Sequence, residues 1–138
     1  MVFENYDKEV KIIAQRTITR YEVIYKNDGI LYCNVSNEIE WTPQDFKLLF
    51  PAIGEMTNFK KVPVLITYKE NSFPSTEASV HWADPEKNCP YFICEAHVMD
   101  SLPLKVLGNF YLNFRKPNRE TKFFNNTKEA LAWLKTFL

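Results

Sequence analysis

Short apolar blocks separated by turn-forming clusters run along the chain, and their period changes from strand-like to helix-like. Thr17 to Tyr25 carries Ile18, Tyr21, Val23, Ile24 and Tyr25, a β-branched and aromatic run that stops at Lys26-Asn27-Asp28-Gly29. Ile30 to Val35 then resumes the apolar character. Asp-Gly between two such runs predicts a hairpin over 17–36, because glycine accepts the positive φ of a tight connection. The segment around Val10 to Ala14 suits a further short strand or a helical turn, and its periodicity does not decide. Residues 1–16 are therefore an N-terminal extension without an assigned structure.

Thr42-Pro43-Gln44-Asp45 combines a capping hydroxyl, a proline at the first helical position and an acid three residues after the cap, so a helix begins there. Phe46, Leu49, Phe50 and Ile53 fall on one stripe that packs on a sheet. Pro51 and Gly54 predict that the last turn is bent or absent. Val62 to Tyr68 is short, continuous and β-rich, as a central strand covered on both faces would be. Ser75 to Trp82 reads as a short helix. Tyr91 to Met99 is another strand, with Phe92, Cys94, Ala96 and Val98 on one face and Tyr91, Ile93, Glu95 and His97 on the other.

Ser101 caps a further helix whose Leu107, Phe110, Tyr111 and Phe114 form a second stripe. A short strand at Thr121 to Phe124 follows. Asn126-Thr127-Lys128-Glu129 then opens a last amphipathic helix carrying Ala130, Leu131, Leu134, Phe137 and Leu138. Strand and helix alternate, which is the order of a parallel-type sheet with right-handed crossovers. The expected architecture is one α/β domain over 1–138: a mixed, mostly parallel sheet of about five strands, an N-terminal hairpin, and helices packed against it.

Composition narrows the function. Seventeen basic residues balance seventeen acidic ones, so no global field draws the chain to nucleic acid or an anionic membrane. No apolar stretch approaches the ~18 to 20 residues of a membrane span, and the N-terminus lacks the basic, then apolar, order of a signal peptide. A cytoplasmic location is expected. Cys33, Cys89 and Cys94 are an odd number, which argues for reduced thiols.

Ser101-Leu102-Pro103-Leu104, Gly108-Asn109-Phe110-Tyr111, Lys116-Pro117, Phe124 and Glu129-Ala130-Leu131-Ala132-Trp133-Leu134 together resemble the uncharacterised bacterial SpoIIAA-like proteins. These are distant relatives of the STAS domain of anti-sigma-factor antagonists. Asp28-Gly29-Ile30-Leu31 and Lys61-Val62-Pro63-Val64-Leu65-Ile66 resemble the N-terminal half of the same family. The resemblance implies a mixed sheet with packed helices. It also implies a phosphorylation switch at the helix following a central strand, usually within an Asp-Ser-Ser or Asp-Ser-Gly context. The matching stretch, Tyr68 to Thr76, lacks the aspartate-serine pair. Ser75 and Thr76 remain as acceptors at a helix N-terminus, where phosphate is favoured. The plain role of Ser75 is a cap.

Reaction chemistry finds little footing in the sequence. Cys89, Cys94, His97 and His81 lack the paired spacing of a zinc site, and Cys94 and His97 differ in strand parity, so no metal is expected; buried thiols and a surface or strand-edge histidine are. His97, Asp100 and Ser101 hold the residue types of a hydrolase triad but crowd into one turn, without a nucleophile elbow. Three scattered glycines build no phosphate loop. Lys60-Lys61, Arg115-Lys116, Arg119 and Lys122 read as solvated surface. The surplus of Trp82, Trp133, Phe73, Phe123 and Phe124 suits an aromatic core, a homodimer seam or an apolar pocket.

The expectation is a non-catalytic regulatory or interaction module for a protein partner, with no catalytic, metal or cofactor residues. Its binding edge would lie where strands end and helices begin, near Ser75, Thr76, Ser101 and Asn126. The alternative is a carrier of a small apolar or lipidic ligand between sheet and helices.

Overall fold

The computed structural model describes residues 9–18, 21–35, 43–68, 81, 89–98 and 119–138. Among them, six strands form one sheet in chain order: β1 (Ile12–Ile18), β2 (Tyr21–Lys26), β3 (Leu31–Val35), β4 (Val62–Tyr68), β5 (Phe92–Val98) and β6 (Glu120–Phe124). The first three are antiparallel and β3 to β6 are parallel. The mixed α/β class is as expected, with one strand more. The run read as a single strand over 17–25 is two, because Ile18 pairs with Tyr21 at the close of a β1–β2 hairpin. Ile12 to Arg16, left unassigned in the sequence, therefore belongs to the sheet.

The expected β2–β3 hairpin is present, and its turn chemistry is local. Gly29 sits at φ +84°, and the Asp28 carboxylate accepts from Ile30 N at 3.0 Å and from the Tyr32 hydroxyl at 2.6 Å. Burial, that hydrogen bond and the Asp28 charge all raise the Tyr32 phenol pKa, so the hydroxyl stays a donor.

Helix α1 (Pro43–Met56) covers one face of the sheet. Phe46, Leu49, Phe50 and Ile53 are buried as the stripe predicts, against Tyr21, Val23, Leu31, Cys33, Val35, Val62, Val64 and Ile66. The helix does not stop at Pro51. Pro51 and Lys47, the residue whose carbonyl it deprives of a donor, are both exposed, so water can serve that carbonyl. Gly54 is an approach site and not an end, since a Cβ there would lie 2.7 Å from the Tyr91 ring. Closure comes from Asn58 and Phe59 at φ 55° and 60°, with Phe59 N donating to Gly54 O at 2.7 Å.

Helix α2 (Thr127–Lys135) packs on the opposite face. The Asn126 side chain accepts from Glu129 N at 2.9 Å, which makes it the N-cap. Ala130 and Leu134 are fully buried against Leu65, Cys94 and Ala96, while Leu138 is exposed. Trp133 sits edge-on to Phe137 and tilted against Phe124, so these members of the aromatic surplus serve the core. Phe73 and Trp82 lie outside the described residues, as do the helix expected from Ser101 and all but His81 of the one expected from Ser75.

The parity expected for β5 fails at one rung. Val62 pairs with Phe92 but Val64 pairs with Glu95, so β5 advances three residues while β4 advances two. Pro63 lies between them in β4 and has no N–H to give the ladder. The slip turns Phe92 toward α1, where it meets Phe50 edge-on at 6.4 Å, and places Glu95 and His97 on the same face. Cys94 and Ala96 go to the α2 side.

Gly29→Ala should cost about 1 kcal/mol, because the side chain forces a strained positive φ and meets Leu138. Urea midpoints of the two proteins measure it.

Candidate functional site

The register slip builds a chain of polar side chains on the α1 face of the parallel strands. Glu95, in the middle of β5, is wholly buried. Arg119, immediately ahead of β6, donates from Nε to Glu95 Oε2 at 2.5 Å. His97 Nε2 lies 3.0 Å from Glu95 Oε1, and His97 Nδ1 lies 2.7 Å from the hydroxyl of Tyr68, the last residue of β4. An ionised carboxylate only accepts, so His97 Nε2 carries the proton; Nδ1 then accepts from the Tyr68 hydroxyl. The chain crosses three strands, from the leading edge of β6 to the carboxyl edge of β4.

Each member is held from several sides. Arg119 Nη1 donates to the Cys89 carbonyl at 3.1 Å, and the guanidinium lies over the Phe92 ring at 5.0 Å. His97 is stacked on Tyr68 at 5.8 Å and touches Phe123 of β6 at 4.9 Å. The His97 and Arg119 side chains are only 6 % and 9 % exposed. Charges enclosed this far are tolerated only as partners of one another.

Two expectations are corrected here. His97 is no surface or strand-edge histidine, because Tyr68, Glu95 and Phe123 enclose it within the sheet face. Arg119 is not solvated surface, because Glu95 needs a cation where water is excluded. His97 does have a hydroxyl and a carboxylate partner, but they are Tyr68 and Glu95. Asp100 and Ser101 lie outside the described residues, and so do Ser75 and Thr76. Asn126 sits at the carboxyl edge of β6 with its side chain engaged in capping α2. The one sequence signal that bears on this register is Pro63, whose missing donor inside a central strand marks a place where a bulge is tolerated.

The cysteines are free and buried. Cys33 lies on the α1 side and Cys94 on the α2 side, with Cys89 ahead of β5. Burial pushes each thiol up to about 12. No group of three or more metal-ligating side chains occurs among the described residues, and no described helix is long and apolar enough to cross a membrane.

The other distinctive surface is β1. Its outer edge pairs with no described strand, and Val10, Ile12 and Ile13 are 51 %, 54 % and 60 % exposed. Its start is pinned to the hairpin tip: Lys11 N donates to Asn27 Oδ1 at 2.8 Å, Asn27 N to Lys11 O at 2.9 Å, and Asn27 Nδ2 to Glu9 O at 3.2 Å. A bulge between Ile12 and Ala14 interrupts the ladder at the aliphatic pair. Farther along, Arg16 reaches back to Glu55 of α1 at 2.6 Å.

Residues 24–138 match the family described as Domain of unknown function (DUF7793). No curated protein matches the chain. Among solved structures, it is similar to an uncharacterised protein of the DUF3478 family with a SpoIIAA-like fold from Shewanella loihica PV-4. The two are 16 % identical over 91 % of this chain and 93 % of that one, with a TM-score of 0.47. A protein of unknown function from Arthrobacter sp. FB24 is 21 % identical over 81 % of this chain and 96 % of that one, with a TM-score of 0.31.

Removing one partner of the enclosed chain should be severe. Glu95→Ala leaves Arg119 buried without its anion and is expected to cost about 3–5 kcal/mol, read from chemical denaturation. The thiols give a pH dependence of defined sign. Between their ordinary 9.0 and about 12, the unfolded chain has released thiol protons that the folded chain keeps. Stability from this source is therefore complete below pH 9.0 and falls as the pH rises toward 12. Native protein at neutral pH should react with a thiol reagent only as fast as it opens, and a rapid stoichiometric reaction would contradict the burial.

Proposed function

The chain belongs to the DUF7793 family of domains of unknown function, and we propose that it is a non-catalytic protein-interaction module whose contact surface is the β1 edge. The observation that carries this reading is the group Val10, Ile12 and Ile13, aliphatic side chains held in the open by a pinned strand. Water contact of such a group is unfavourable by about 25 cal/mol per Å² of apolar surface, and a partner's surface relieves it. The bulge favours recognition through side chains over addition of a further strand, because it breaks the row of outward backbone groups that a new strand would need. The polar chain of β4 to β6 supports a non-catalytic role, its groups being enclosed and engaged with one another.

The test is capture of a partner from the native cell by the wild-type protein and by the double variant Ile12→Asp, Ile13→Asp, with circular dichroism confirming that both are folded. Capture should fall by about tenfold or more in the variant, since desolvated apolar anchors dominate such interfaces. Sedimentation of the purified protein shows whether the partner is a second copy of the chain. Equal capture by the two proteins, or none by the wild type together with a monomer in sedimentation, overturns the proposal.

A further inference from the structure

We propose that the amino edge of the parallel strands is a second contact surface, and that it rests on an anionic lipid bilayer. Apart from the β1 group and Leu48 of α1, the exposed large apolar side chains among the described residues are Phe59, Ile93 and Leu138, at 63 %, 37 % and 63 %. All three belong to this edge. Phe59 stands just ahead of Val62, where β4 begins, and Ile93 follows Phe92, the partner of Val62 at the start of β5. Leu138 lies against Gly29, just ahead of β3. The surface is separate from the β1 edge and does not depend on the reading given to it.

Phe59 is the informative member. It sits at φ 60° directly after Asn58 at 55°, a left-handed conformation that glycine adopts freely and a bulky residue does not. The turn is firmly held: Phe59 N donates to Gly54 O at 2.7 Å, Lys60 N to Thr57 O at 3.2 Å, and Val62 N to Tyr91 O at 2.8 Å. The ring meets Tyr91 edge-on at 6.0 Å and otherwise faces mostly water. Glycine would close α1 with less strain, so the fold itself does not call for an aromatic side chain here.

Charge identifies what the ring meets. Lys60 and Lys61 follow it, both exposed, and Lys135 is exposed one turn before Leu138. None of the three forms a salt bridge among the described residues. Of the acids at this edge, Asp28 accepts from Ile30 N and Tyr32, and Glu120 of β6 stands two strands from β4. The chain carries no net charge, so the attraction is local. Apolar tips set singly among lysines differ from a protein-binding patch, whose centre is contiguous and poor in lysine. A bilayer takes such tips one by one into its interfacial layer, while lysine stems lie along it and keep their ammonium groups among the anionic headgroups.

Co-sedimentation of the full chain with phosphatidylcholine vesicles, with and without about 30 % phosphatidylserine, is the test. Binding should require the anionic lipid and fall several-fold between about 0.1 and 0.5 M salt. Each lysine near the surface is worth about fivefold, so the double variant Lys60→Gln, Lys61→Gln should bind about tenfold or more weakly. Phe59→Gly removes the tip and relaxes the backbone, so binding should drop while the urea midpoint holds or rises, an outcome that loss of a merely structural contact would not give. Ile12→Asp, Ile13→Asp should bind as the wild type does. No binding at about 5 mM accessible lipid, equal binding to neutral and anionic vesicles, or undiminished binding by either amino-edge variant overturns the proposal. So does loss of binding in the β1 variant alone, or capture of a protein that depends on Phe59 without any binding to vesicles.

Discussion

Enclosing the Glu95 carboxylate is the constraint around which the parallel half of the sheet is organised. An isolated carboxylate cannot be taken out of water at this depth, so the fold must bring donors to it. Arg119 comes from the approach to β6, and His97 from two residues along the same strand. Tyr68, at the far end of β4, completes the row by occupying the other nitrogen of His97. Three strands are therefore tied side to side by side-chain bonds in addition to their backbone ladder. Such an arrangement adds little net stability compared with an apolar filling, but it tolerates no missing member. Its presence in a core of mainly apolar side chains marks the place where stability alone would have chosen different residues.

The hairpin half obeys a simpler logic. Tyr21 and Val23 of β2, and Leu31, Cys33 and Val35 of β3, point toward α1 in strict alternation. On the other face Glu22, Asn34 and Thr67 form a polar ladder over β2, β3 and β4: Asn34 Nδ2 donates to Glu22 Oε1 at 3.1 Å, and the Thr67 hydroxyl is bonded to Asn34 Oδ1. Among the described residues, α2 packs on that face chiefly beside β4, β5 and β6.

Much of this was legible in the chain. The Asp28-Gly29 turn, the α1 stripe, the central position of Val62 to Tyr68 and the capping pattern at Asn126 each follow from local chemistry, and each is found in its place. What escaped was non-local. β1 carries too few apolar residues in alternation to declare itself, and it is a strand because Asn27, sixteen residues after Lys11, holds its start. Alternation rightly set Glu95 and His97 on the face opposite Cys94, Ala96 and Val98, but it does not say that this face is enclosed or that Arg119, twenty-odd residues later, comes to meet them. The extra residue in β5 upsets the count at Phe92 alone, which joins the α1 face instead of the face of Cys94 and Ala96. Ser75, Thr76 and Ser101, the expected binding edge, lie outside the described residues.

The imino acid at position 63 has a reach that its own surroundings do not suggest. Replacing it would restore a donor to β4 and invite β5 to give up its extra residue. Two ionisable side chains would then swing from a face built to receive them to one lined by Ala130 and Leu134. Mutational freedom at Pro63 is thus held by residues one and two strands away. Across relatives of this chain, the proline, the acid, the imidazole and the guanidinium should be inherited as a block, and a lineage that loses one should have replaced the others.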